Sequence, residues 1–145
     1  MSWNSSYETG VDEIDRQNFE LLDYIEVMKN TEDNKTRLMQ LEIFEELVKK
    51  NFMQEQRLHD ECRYFDAFWH KISHQAYIKK LQHTKHNLSE SGATLENENI
   101  FRTQVVEFLK YHITCHDKSF AHFYNDNKFC ENFVEQENTF ATAML

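Results

Sequence analysis

Apolar side chains recur along this chain at steps of three and four residues, and four stretches carry the pattern far enough to predict helices. In the first, Ile14, Asn18, Leu21, Ile25 and Met28 stack along one face. The second runs through Leu41, Phe44, Val48, Asn51, Glu55, Leu58 and Cys62, with Asp33 and Asn34 ahead of it as capping residues. The third aligns His70, His74, Tyr77 and Leu81. The fourth sets Phe101, Val105, Phe108 and His112 beside Val106, Leu109, Ile113, Asp117 and Phe120. The polar run 89–94, which holds Gly92, reads as the loop between the third and fourth stretches, and the pattern breaks at 125–127. Beyond that break, Phe129 to Phe140 predicts a short C-terminal helix.

Composition agrees with this reading. Two glycines and no proline leave the chain without the usual punctuation of strands and tight turns. No repeat, linker or low-complexity tract divides it, so residues 1–145 are expected to form one all-α domain, a four-helix bundle. A net charge of −9 argues against nucleic acid or an anionic membrane as partner, because both reward clustered Lys and Arg. Cys62, Cys115 and Cys130 form an odd set without paired spacing. With no leader-like N-terminus and no apolar run of membrane-spanning length, they predict a cytoplasmic protein with reduced thiols.

The chemistry lies in the exceptions to the apolar pattern. Asn18, Asn51, Glu55, His70, His74, His112 and Asp117 stand where a bundle should bury hydrocarbon. A buried polar group without a hydrogen bond costs roughly 2–7 kcal/mol, and an unpaired carboxylate costs more. One cation would relieve that cost for all five ionisable groups, three histidines and two carboxylates arriving from three helices. The i,i+4 spacing of His70 and His74 puts both imidazoles on one side of a helix. Imidazole with carboxylate suits iron first, then zinc or manganese, and the absence of cysteine speaks against a structural zinc site. His116, one turn from His112, and His59, one turn beyond Glu55, are candidate substitute ligands; each reads equally as a rim or surface histidine.

Over Trp3 to about Tyr124 the chain resembles the hemerythrins, most closely the single-domain bacteriohemerythrins. Trp3, Tyr7, Gly10-Val11 and the run from Ile14 to Gln17 match the family's N-terminal arm. Asn51-Phe52-Met53-Gln54-Glu55 stands for its His-Phe-x-x-Glu, His70 and His74 for its His-x-x-x-His, and His112 to Asp117 for its His-x-x-x-x-Asp. The resemblance implies an up-down-up-down bundle with an N-terminal arm. It also implies one iron on His70, His74 and His112, with Glu55 and Asp117 as the carboxylates that bridge to a second iron. That second iron should sit on histidines at 18 and 51, and both positions hold asparagine, a poor donor to iron. Oxygen carriage in the family draws an electron from each of two irons. The expectation is therefore a degenerate centre, one iron unless His116 or His59 rescues a second. Its open position would take dioxygen, nitric oxide or superoxide, for sensing or scavenging rather than ordinary oxygen transport.

Two other classes remain in view. A metal-free structural or protein-interaction bundle would knit the same side chains into a hydrogen-bond network. An enzyme reading is compatible with an open iron, but no substrate pocket is legible. The remaining features take plain readings. Tyr77 and Phe52 keep the pocket dry, Cys115 is an inert buried thiol, and His83, His86, Lys49-Lys50 and Lys79-Lys80 lie on solvated faces. No long apolar seam is expected on the exposed faces.

Overall fold

The computed structural model describes residues 3–126. Among these residues the chain is helical, without strands, and four helical rods pack together. The first three are α1 (Asp12–Lys29), α2 (Asn34–Glu61) and α3 (Ala67–Ser91). The fourth, over 95–126, alternates α4 (Leu95–Ile100), a π segment Phe101–Glu107, α5 (Phe108–His112), a π segment Ile113–Asp117 and α6 (Lys118–Asp126). The predicted C-terminal helix from Phe129 and the thiol of Cys130 lie outside the described residues.

Each rod starts and stops for a local reason. Asp12, Glu13 and Asp15 occupy the first turn of α1 and Lys29 its last, each complementing the helix dipole. Asp15 also accepts from the Thr9 amide, the Thr9 hydroxyl and the Gly10 amide, which fixes the approach to α1; Gly10 has φ +87°, a conformation open to glycine at little cost. Asp33 caps α2 by accepting from the Thr36 amide at 2.9 Å. Gly92, φ +72°, ends α3, and Thr94 caps the fourth rod through the Asn97 amide.

The π segments depart from the regular helix that the sequence pattern predicts. In an α-helix a residue five places on stands about 140° round from its start. In a π turn the backbone bond itself runs over that interval, which brings the two residues toward register. Threonine hydroxyls within those segments donate back to carbonyls one turn earlier. Thr103 donates to Asn99 O at 2.9 Å and Thr114 to Lys110 O at 2.9 Å.

The interior has three layers. A larger apolar cluster includes Leu21, Ile25, Phe44, Val48, Tyr77, Leu81, Val105 and Leu109. A smaller one joins Val11, Ile14, Tyr64, Phe120 and Ala121. Every rod passes through polar positions between the two: Asn18 on α1, Asn51 and Glu55 on α2, His70 and His74 on α3, and His112 and Asp117 on the fourth, all buried. Leu58, expected inside, is half-buried, and its neighbour His59 takes the interior place.

Two surface expectations need correction. Cys115 is exposed, because its position on the fourth rod points away from the face that carries His112 and Asp117. An apolar row does reach solvent, at Phe65, Phe68, Trp69 and Ile72, which are 82, 63, 65 and 41% exposed. No described helix is long and apolar enough to cross a membrane.

Candidate metal centre

Glu55, His70, His74, His112 and Asp117 each aim one ligand atom at a common point, and those atoms all lie within 4.8 Å of one another. The nearest spacings are short and even. His70 Nε2 stands 2.9 Å from Glu55 Oε1, 3.2 Å from Asp117 Oδ1 and 3.3 Å from His112 Nε2. His112 Nε2 is 3.0 Å from Asp117 Oδ1, and His74 Nε2 is 3.4 Å from Glu55 Oε2. Adjacent donors on one ion at about 2.1 Å stand about 3 Å apart, so these nearest spacings are those of a group that could hold a metal ion.

As a hydrogen-bond network the same cluster is incomplete. Glu55 Oε1, Asp117 Oδ1 and His74 Nε2 are buried and lack hydrogen-bond partners, despite their short distances to neighbours. The reason is directional. A neutral imidazole has one N–H to give, and His70 Nε2 faces two carboxylate oxygens and another imidazole nitrogen at once. With neutral imidazoles and ionised carboxylates the set is rich in lone pairs, the condition that a cation satisfies; without one the cluster is driven to take up protons instead.

Burial sets the protonation of the metal-free cluster. Desolvation, followed by the charge of Asp117, pushes Glu55 up to about 8. Burial alone would lower His70, but the carboxylate oxygens of Asp117 at 3.2 Å and Glu55 at 2.9 Å outweigh it and raise the imidazole to about 9. Asp117 would be raised by burial, yet His112 and the hydrogen bonds around it hold it well below the usual carboxylate range. His74 is held well below its ordinary value by burial and by His112. Both Glu55 and His70 are thus pushed toward their protonated forms in the metal-free cluster.

The outer faces of the ligand rings are oriented by neighbours that the sequence pattern does not single out. Ser73 donates to His70 O at 2.7 Å, so its oxygen can accept from His112 Nδ1 at 3.3 Å; that leaves the His112 Nε2 lone pair facing the cluster. Gln56 stands 3.4 Å from His74 Nδ1. Phe52 stacks on His74 with ring centroids 3.7 Å apart, and Tyr77, fully buried, donates to Val105 O. Ser73 one turn from His70, and Gln56 beside Glu55, are signals a sequence reader could use, though only with the neighbouring rod in view.

The asparagine side differs. Asn18 Nδ2 donates to Asp117 Oδ2 at 2.9 Å, and Asn51 Nδ2 donates to Gln17 O at 3.5 Å. Gln17 in turn donates to Gln54 at 2.7 Å. The oxygen of Asp117 that would serve a second ion is thus already committed to an amide.

Neither candidate substitute joins the five-donor set. His116 is part-exposed, its ring 5.2 Å from that of His112. His59 is neither rim nor surface: it is 1% exposed, with its ring 4.3 Å from both His70 and Phe120 and its Nε2 3.8 Å from Glu55 Oε1. Burial, followed by the charge of His70, lowers His59 to about 3, so it is neutral. His83 and His86 are exposed, as expected. No protein-family model, curated protein or solved structure matches this chain.

Proposed function

We propose that this chain is a hemerythrin-like, non-heme iron protein with a mononuclear centre on His70, His74, His112, Glu55 and Asp117, which binds or senses dioxygen or a related small oxidant such as nitric oxide or superoxide. One observation carries the reading. Five buried donor atoms sit at ligand spacing while three of them lack any hydrogen-bond partner. Three imidazoles with two carboxylates favour iron and leave one of six positions open. Asn18, by donating to Asp117 Oδ2, supports one ion over two.

The order of layers along the chain supports the up-down-up-down arrangement of that family. On α1 the small cluster (Ile14) precedes Asn18 and the large cluster (Leu21); on α2 the large cluster (Val48) comes before Glu55, and Leu58 beside the small cluster follows. The sense reverses again on α3, from Ala67 through His70 to Tyr77, and once more on the fourth rod, from Leu109 through Asp117 to Phe120. An odd number of cysteines supports a reducing, cytoplasmic setting.

The iron would supply the redox-active, ligand-binding position. The protein's own contributions are to place both carboxylates beside the three imidazoles, to fix His112 through Ser73, and to exclude bulk water with Phe52 and Tyr77. A binding or sensing role fits this better than turnover. Ferrous protein prepared under nitrogen should change its absorption on exposure to nitric oxide, and the change should vanish in His74→Ala. An unaltered spectrum in iron-loaded wild-type protein would remove the small-oxidant reading.

The metal-free interaction bundle draws on one observation of its own, the exposed row of Phe65, Phe68, Trp69 and Ile72. Purified protein that takes up no iron, and whose stability iron does not raise, would favour it.

A further inference from the structure

Among the described residues, most polar side chains around the five donors are committed. Asn18 is spent on Asp117, Asn51 on Gln17, and Ser73 and Gln56 on ring nitrogens. His59 is not. It is 1% exposed, and both of its ring nitrogens lack a hydrogen-bond partner. An imidazole buried on those terms costs stability that a phenyl ring of similar shape would not. Its Nε2 lies 3.8 Å from Glu55 Oε1, at the margin of the cluster but outside the set whose atoms lie within 4.8 Å of one another.

His59 also forms part of the wall of a cleft between α2 and the start of α3. Gln56, Asp60, Ala67, Phe68 and Lys71 complete the lining, and the cleft holds about 150 Å³. One water claims about 30 Å³ of liquid, so a two- or three-atom molecule fits. The cleft thus brings solvent-side space up to a buried, uncommitted imidazole beside the ligand set.

We propose that His59 is the hydrogen-bond donor to the small ligand in the open position of the metal centre, and that the cleft between α2 and α3 is the route by which the ligand arrives. This rests on the mononuclear reading above and assigns the ligand site within it. His59, an imidazole, keeps at least one N–H in either protonation state. It therefore suits a small ligand that presents a lone pair or negative charge, dioxygen, superoxide or an anion of that size, and it does nothing for one without an acceptor atom.

Azide is the probe. Ferric wild-type protein, His59→Phe and His59→Gln would be titrated with azide by absorption, after the iron content of each has been measured. Phenylalanine keeps the packing against Tyr64 and Phe120 and removes the donor. The expected result is equal iron in all three proteins, azide affinity lower by about tenfold or more in His59→Phe, and partial recovery in His59→Gln, which retains an N–H. The thermal midpoint of metal-free His59→Phe should equal or exceed wild type, which a merely structural histidine would not give. Azide affinity unchanged by His59→Phe overturns the proposal. So does loss of iron in that variant with wild type loaded, since His59 would then be a ligand. If wild-type protein holds no iron, the mononuclear reading itself has failed and this one falls with it.

Discussion

The two sides of the polar layer are built from similar materials and reach opposite states. On one side five ionisable groups converge with orphaned lone pairs; on the other, Asn18, Asn51, Gln17 and Gln54 close amide hydrogen bonds among themselves and with Asp117. The difference is one of chemistry more than of position. An amide carries both donor and acceptor and can finish its bonding inside the protein, whereas neutral imidazoles and carboxylates crowded together run out of protons. A layer can thus be half metal site and half ordinary buried network, with Asp117 as the joint. Its Oδ1 faces the donors and its Oδ2 faces Asn18.

Removing a donor should break the contrast outright. His74→Ala is expected to lower iron affinity more than about a hundredfold, beyond the usual effect of an outer partner, as read by competition with a chelator. Asn18→Ala should leave stoichiometry alone. Rebuilding the other side tests the contrast from the opposite direction: Asn18→His with Asn51→His frees Asp117 Oδ2 and should raise uptake from one metal per chain to two.

Acidity gives a graded version. Both Glu55 and His70 are raised in the folded, metal-free protein, so metal must displace protons from the cluster near neutral pH. Iron affinity should therefore rise with pH between about pH 7 and about pH 9, as those groups lose their protons. Titration calorimetry in two buffers of different ionisation enthalpy counts those protons. A slope of zero across that range would mean that neither group changes protonation on binding.

Smaller effects sharpen the comparison further. Ser73→Ala removes the partner of His112 Nδ1 and should cost about tenfold in metal affinity, with little change in metal-free stability. Asn18→Ala strips a charged oxygen of its donor and should destabilise the metal-free protein by about 2 kcal/mol in urea unfolding, while Asn51→Ala, which loses a bond at 3.5 Å, should cost less than about 1 kcal/mol beyond its packing.

Much of this was legible in the residues. The stripes Ile14 to Met28, Leu41 to Glu55 and His70 to Leu81 are buried as the periodicity predicts, because amphipathic helices of that length have one way to hide an apolar face. The five donors come together for the same reason. His112 and Asp117 were legible from periodicity as members of two adjacent inward stripes, and their facing one point was not. A gap of five is out of phase for an α-helix, and nothing in local propensity announces the π turn that closes it. His59 escaped a reading by residue type, which prefers Leu58 for the core. Both lie near the phase of Glu55, and the rings of Tyr64 and Phe120, placed by other rods, decide between them. The commitment of Asp117 Oδ2 to Asn18 joins residues 99 apart, a contact that helical periodicity cannot specify.

The most direct measurement of the central claim is metal stoichiometry by native mass spectrometry on wild-type protein made in iron-rich medium and exposed to excess ferrous iron under nitrogen. A mononuclear centre gives one iron per chain, a number that excess iron does not raise and that His74→Ala reduces to none. Two irons on the wild-type chain, or none at any iron concentration, would contradict it.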